Sequence, residues 1–120
     1  MSGVTYHPNR VPGAEDAVAA DAKFRDYLLN LDHPIGGAKA RYFLTLGWDQ
    51  TRWRELKELF LAQLPLVEGR FSRENEYNGA ADFRADIRIP RSDGRLVAVG
   101  TYWEVHPEKP TKFLTAYPLS

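Results

Sequence analysis

Residues 81–89 read ADFRADIRI, and this stretch decides the fold because apolar and charged side chains alternate along it without a break. A period of two is typical of a strand that faces a core on one side and water on the other. The pair Asp93-Gly94 follows, which suits the positive φ angles of hairpin turns, and residues 95–105 then resume the alternation. The segment therefore predicts an antiparallel hairpin.

Two flanking segments extend this predicted sheet. The sequence PEKP at residues 107–110 is a second turn signal, and the apolar residues that follow predict a further strand over residues 112–117. On the other side, residues 67–77 predict an irregular or edge strand. The sheet then has about four strands, joined by connections short enough for antiparallel pairing.

Upstream of Pro65 the apolar residues recur with the period of a helix. A first helix is expected after Asp21 and before Pro34, a second over residues 38–46 with Gly47 ending it, and a third between Asp49 and Pro65. The apolar stripes are Phe24, Tyr27, Leu28 and Leu31 in the first helix and Trp53, Leu56, Leu59, Phe60 and Leu64 in the third.

The order of elements predicts an α+β domain in which about three N-terminal helices pack on one face of a roughly four-stranded antiparallel sheet. Residues 1–20 contain structure breakers, among them Pro8, Pro12 and Gly13, between small and polar residues. We interpret residues 1–20 as a flexible tail or linker and residues 21–120 as a single domain.

Composition excludes several classes of protein. The 120 residues include no cysteine, which excludes disulfide scaffolds, thiolate catalysis and zinc–thiolate sites. The 16 Lys and Arg balance the 16 Asp and Glu, so a strong sequence-independent grip on nucleic acid is not expected. No apolar run is long enough to span a bilayer and no signal peptide is evident, so a cytoplasmic location is the default expectation.

Standard cofactor and metal motifs are missing from the sequence. There is no phosphate-binding loop, dinucleotide fingerprint or nucleophile elbow. The three histidines, His7, His33 and His106, lie in the predicted tail, a helix junction and a hairpin, without the spacing of a metal site. We therefore predict no cofactor and no metal.

The densest polar cluster is DHPIGGAKAR at residues 32–41. His33 precedes a helix start, where free N–H groups and the helix dipole favour an anion, and Lys39 and Arg41 add positive charge in the first turns. Such a junction would hold a phosphate. The alternative is structural: Asp32 and His33 cap the helix, while Lys39 and Arg41 are solvated.

Thr101, Trp103, Thr115 and Tyr117 form a second candidate group, because a hairpin can set the two pairs side by side. The alternative is that Trp103 and Tyr117 serve core or cross-strand packing. The charges at residues 82–88 alternate in sign, a pattern that indicates a solvated strand face rather than a basic stripe for nucleic acid.

Several motifs together resemble a small uncharacterised bacterial domain family over residues 21–118. They are DYLLN at residues 26–30, HPxGxxKARxF at residues 33–43, LGW at residues 46–48, Trp103, and PxxxLTAYP at residues 110–118. In its order of helices and strands and its terminal strand, that family is similar to the metal-independent ribonuclease toxins of the barnase, EndoU, colicin and RelE-like superfamily.

The resemblance implies cleavage of RNA through attack by the ribose 2′-hydroxyl, which needs a base, an acid and cations around the phosphorane. It assigns His33 as base or acid, Lys39 and Arg41 as charge stabilisers, and Thr115 as a hydroxyl partner. Thr101, Trp103 and Tyr117 would contact substrate, and RNA or a cognate inhibitor would be the partner. The competing hypothesis is a non-catalytic protein-binding module of the immunity, antitoxin or accessory type.

Overall fold

Four antiparallel strands form one sheet in the order β1-β2-β3-β4, with neighbours in sequence paired in space. The strands are β1 (Gly69–Glu74), β2 (Ala81–Pro90), β3 (Leu96–His106) and β4 (Lys109–Pro118). A computed structural model describes residues 5–75 and 78–119. Residues 1–4 of the predicted tail and residues 76 and 77 of the predicted edge strand therefore lie outside the described residues.

The helical layer consists of three helices, Lys23–Leu28, Gly37–Thr45 and Trp53–Gln63, with short 3-10 turns beside them, within the described part of the chain. The last two match the predicted helices, and Gly47 has the left-handed φ of 96° expected after a helix end. The α+β prediction is confirmed: three helices lie on one face of a four-stranded antiparallel sheet.

The first helix differs from the regular amphipathic helix that its apolar spacing predicts. It is a single π-helical segment, in which the Leu29 N–H bonds the Phe24 carbonyl five residues back. Phe24 and Leu28 are buried as expected, whereas Leu31 is 47% exposed. The helix ends three residues before Leu31, so this last member of the stripe no longer points at the core. Such π-segments are rare and frequently lie at functional sites.

The core lies between the helices and the inner face of the sheet. Ala85, Ile87 and Ile89 of β2 and Val99 and Trp103 of β3 are buried, as the alternation predicts. Their odd-numbered positions face the helices, so the even-numbered residues of β2 and β3 form an outer face without a covering helix. That open face is the surface on which the candidate site lies.

Residues 11–19 also contribute to the core, although the sequence places them in a tail or linker. Val11, Ala14 and Ala19 are buried in the same apolar cluster as the helices. Val18 exchanges backbone hydrogen bonds with β4, donating to the Thr111 carbonyl at 2.8 Å. These small apolar residues lack a helical or strand period, which is why their burial leaves little trace in the sequence pattern.

Candidate functional site

Lys39 is the centre of the candidate site. Its ammonium donates to the Tyr27 hydroxyl at 2.7 Å and to Thr115 Oγ1 at 2.8 Å. It also lies 3.9 Å from the centre of the Tyr117 ring, a distance at which the ring's negative face attracts a cation. β4 is an edge strand of the sheet, so a lysine from the helical layer can reach residues of the open face.

The Tyr27 hydroxyl lies among these groups and is electrostatically altered by them. Burial of the phenol by itself would raise the pKa of Tyr27, but hydrogen bonds from Lys39 and Thr115 and the positive charges of Lys39 and Lys23 outweigh it. The net effect lowers the pKa of Tyr27 below its ordinary value of 10.0. A tyrosine of lowered pKa at the edge of a groove is a candidate acid or base.

His33 and Gly36 hold Tyr27 in place. His33 Nδ1 accepts from the N–H groups of Ile35 and Gly36 at 3.0 and 2.8 Å, which caps the turn before the second helix. Because Nδ1 accepts these two hydrogen bonds, the ring proton of the neutral imidazole lies on Nε2. The His33 ring meets the Tyr27 ring edge-on at 5.1 Å. His33 therefore holds the turn that leads into the second helix and supports Tyr27, whereas no side chain caps the helix itself, as the structural alternative expected of Asp32 and His33.

A groove of about 700 Å³ crosses the open face beside this cluster. It runs from β1 to β4 and is lined by Ser72, Arg73, Asp82, Tyr102, Thr115 and Tyr117, among others. Tyr102 is the direct cross-strand partner of Thr115, and its ring meets that of Tyr117 edge-on at 5.7 Å. Thr115 thus links the Lys39 cluster to the groove.

Most positive charge on the open face is neutralised by neighbouring carboxylates. The pairs are Arg84 with Asp86 at 2.8 Å, Arg73 with Asp82 at 3.1 Å, Arg70 with Asp86 at 3.5 Å and Lys112 with Glu104 at 3.6 Å. Lys39 is different: no carboxylate of residues 5–75 and 78–119 forms a salt bridge with it. Among the described residues, Lys39 therefore contacts hydroxyls and two tyrosine rings, and it meets the groove through Thr115 and Tyr117 of the groove lining.

The structure brings together some of the residues proposed from the sequence and separates others. His33, Lys39, Thr115 and Tyr117 gather around Tyr27. Arg41 is exposed and makes none of these contacts, since residues two apart on a helix point in different directions.

Thr101 and Trp103 lie inside the core instead of in the groove. The Trp103 indole donates to Thr101 Oγ1 at 2.7 Å, and Thr101 donates to the Ala85 carbonyl at 2.6 Å. Both side chains are fully buried, so the packing alternative describes them. The strand period explains this placement, since odd-numbered residues of β3 face the helices.

Three residues of the site were not singled out from the sequence. Tyr27 reads as one member of an apolar stripe, and Tyr102 and Asp82 read as parts of a solvated strand face. The available signal was the strand period: Asp82 and Tyr102 both occupy even-numbered positions on the outer face, and Tyr102 pairs with Thr115. Nothing in the local pattern shows that the Tyr27 hydroxyl reaches a residue 88 positions away.

No metal-binding cluster is found in the described residues, because no three His, Asp or Glu side chains lie close enough to hold an ion. The same residues include no helix long and apolar enough to cross a membrane.

Comparison with known proteins gives a family but no activity. No curated protein sequence and no solved structure matches the chain. The profile of one family, described as a domain of unknown function (DUF6883), matches residues 10–120 and so covers the helices, the sheet and the Lys39 cluster. The chain therefore belongs to the DUF6883 family of domains of unknown function.

Proposed function

We propose that this domain is a toxin-like, metal-independent endoribonuclease that cleaves RNA by attack of the ribose 2′-hydroxyl on the adjacent phosphodiester. The supporting observation is the Lys39 ammonium, which bonds two hydroxyls, one of them on Thr115 of the groove lining, and has no carboxylate partner among the described residues. A cation that has not been neutralised favours an anionic ligand, and the adjoining groove of about 700 Å³ has the volume of a small-molecule site.

The proposed reaction uses the two groups that the structure places in contact. Tyr27, as phenolate, accepts the proton of the 2′-hydroxyl while the 2′-oxygen bonds to phosphorus. Lys39 stabilises the negative charge of the phosphorane and donates a proton to the leaving 5′-oxygen as its bond to phosphorus breaks. The proton then passes from Tyr27 to Lys39 along their 2.7 Å hydrogen bond, which restores both groups.

The lowered pKa of Tyr27 supports this division of roles, because the same ammonium that binds the phosphate also favours the phenolate. Thr115 orients the Lys39 ammonium, and His33 acts as a positioning residue through its contact with the Tyr27 ring. Products would carry a 2′,3′-cyclic phosphate and a free 5′-hydroxyl. No metal ion takes part in this proposed step.

The test is cleavage of labelled single-stranded RNA by purified protein in the presence of a chelator. Lys39→Met keeps the length of the side chain and removes its charge, and Tyr27→Phe keeps the ring and removes the hydroxyl. Each variant is expected to lower kcat by at least about 100-fold. Lys109→Met, at an exposed hairpin position, is the matched control and should cleave like the wild type.

Two results would refute the proposal. One is a folded wild-type protein that cleaves no RNA under these conditions. The other is cleavage that persists when every ribose of the substrate lacks its 2′-hydroxyl. A cellular version induces the same variants in a bacterial host, where a cytoplasmic ribonuclease should arrest growth and degrade RNA in the wild type and the Lys109→Met control alone.

A non-catalytic protein-binding module is the second candidate function. The observation that favours it is the mutual neutralisation of Arg and Asp side chains on the open face, together with the overall net charge of zero. Such a face suits a protein partner better than a polyanion. Normal growth and intact RNA at high expression, with a stoichiometric partner recovered by pull-down, would support this candidate.

A further inference from the structure

Asp82 is a carboxylate on the floor of the groove and is the feature from which this inference starts. Its side chain is 13% exposed, whereas that of its ion-pair partner Arg73 is 78% exposed. A carboxylate that is mostly hidden in a groove with only an exposed arginine against it can accept hydrogen bonds from a ligand that enters the groove.

The hydrogen-bonding capacity of Asp82 is only partly used. Arg73 Nε donates to Oδ2 at 3.1 Å, and no other described residue bonds this carboxylate. An ionised carboxylate offers about four lone-pair sites across its two oxygens. Within the described residues this leaves lone pairs of the carboxylate for a further donor, which a ligand N–H group in this place would supply.

Tyr102 lies on the strand between Asp82 and the Lys39 cluster. It pairs across the strands with Thr115, and its diagonal neighbour on β2 is Asp82, so all three share the open face. Unpaired bases stack readily on aromatic side chains of sheets. The face of Tyr117 is already occupied by Lys39, so Tyr102 is the ring that remains for a base.

The spacing matches a single nucleotide. From Thr115 on β4 to Asp82 on β2 the groove crosses two strand spacings and shifts by two residues along β2, about 12 Å in a straight line. A nucleotide with its phosphate at one end of such a span presents the edge of its base at the other. A base held in this way must be unpaired, because its hydrogen-bonding edge faces the protein.

We propose that the groove binds one unpaired nucleotide, with its phosphate at Lys39, its base on Tyr102, and an exocyclic amino group of the base donating to Asp82. This inference rests on the proposed ribonuclease function and specifies its substrate. Asp82 is then the residue that determines base preference: cytosine offers an amino donor at the position where uracil has a carbonyl oxygen, which the carboxylate repels. Cytidine is preferred to uridine.

Binding of mononucleotides that cannot be cleaved tests the inference without relying on catalysis. Titration calorimetry with 3′-CMP and 3′-UMP should give the wild type a preference for 3′-CMP of roughly 10- to 100-fold. Asp82→Asn replaces one acceptor oxygen with an amide that can donate to the uracil carbonyl, so the preference should disappear or reverse. Asp93→Asn, on an exposed turn, is the matched control and should keep the preference.

Tyr102→Leu separates stacking from base reading. It should weaken 3′-CMP and 3′-UMP equally, by roughly 5- to 100-fold, and leave their ratio unchanged. Unfolding curves of each variant establish that the protein remains folded. If Tyr102→Leu binds both nucleotides as tightly as the wild type does, the assignment of the base to Tyr102 is overturned.

Cleavage of an oligonucleotide that carries one cytidine and one uridine distinguishes this inference from the proposed function. Equal cleavage after both nucleotides by the wild type and by Asp82→Asn overturns the role of Asp82 while the ribonuclease proposal stands. A preference for 3′-CMP that Asp82→Asn abolishes, without cleavage of any RNA, supports the groove as a nucleotide site and overturns the catalytic proposal.

Discussion

The substitution Gly36→Ala tests whether close packing of the second helix on Tyr27 builds the site. Gly36 has φ −79° and ψ −13°, which any residue can adopt, so backbone conformation does not require glycine there. Space does. An added Cβ would overlap the Tyr27 carbonyl oxygen and stand 2.8 Å from Tyr27 Cδ1, and a carbonyl within a helix cannot move aside as a flexible side chain can.

The expected size follows from two opposing effects. Overpacking of this kind destabilises by up to about 3 kcal/mol, and replacing glycine with alanine returns up to about 1 kcal/mol by restricting the unfolded chain. The net loss is about 2 kcal/mol, which lowers Tm by roughly 8 °C for a domain of this size. The second helix must shift away from Tyr27, so the hydrogen bond between Lys39 and Tyr27 should also weaken.

Thermal unfolding followed by circular dichroism measures this loss, with Gly100→Ala as the matched control. A Cβ at Gly100 would stand 3.5 Å from Arg84 Nε and from Leu119 Cδ2, which is ordinary contact, so its Tm should stay at or slightly above the wild-type value. The reasoning is refuted if Gly36→Ala melts at the wild-type temperature, since the clash would then be relieved without cost.

Three further predictions follow from the same geometry. Thr101→Val leaves the buried Trp103 indole N–H without its acceptor and removes one donor from the Ala85 carbonyl, so urea denaturation should show a loss of about 1–3 kcal/mol; no loss would contradict this. The pKa of Tyr27 is lowered, so its ionisation adds stability that is fully present above the unfolded pKa and disappears as pH falls through the folded pKa. Lys39→Met should move the phenolate absorbance titration to higher pH, and an unchanged titration would contradict the assigned cause. Val11→Ala should cost about 2 kcal/mol in the same denaturation assay, because the side chain is fully buried; no loss would mean that residues 11–19 do not contribute to stability.

Much of the fold was predictable from local patterns. The alternation at residues 81–89 and 95–105 specifies which side chains face the core, since a shift of one residue would bury the charges of β2. The helix over Gly37–Thr45 begins and ends where its glycines indicate. The first helix was less predictable, because its apolar spacing does not distinguish a regular helix from the π-segment that places Tyr27 beside Lys39.

The candidate site was predictable only in part, and the reason is distance along the chain. His33 and Lys39 stand out locally because they flank a helix start, and Thr115 stands out in the last strand. Arg41 stands out in the same way, yet it points away from the cluster, since its direction depends on how the helix is turned against the sheet.

The sequence by itself determined the class of fold, the register of the central hairpin and the absence of cysteine chemistry, because periodicity and composition act over a few neighbouring residues. The tertiary structure alone decided that residues 11–19 join the core, that Thr101 and Trp103 face inward together, and that the hydroxyls of Tyr27 and Thr115 meet the Lys39 ammonium. The contacts of residues 11–19 with β4 and of Tyr27 and Lys39 with Thr115 join residues that are far apart along the chain. Their free energy depends on which surfaces pack together, and no local pattern carries that information.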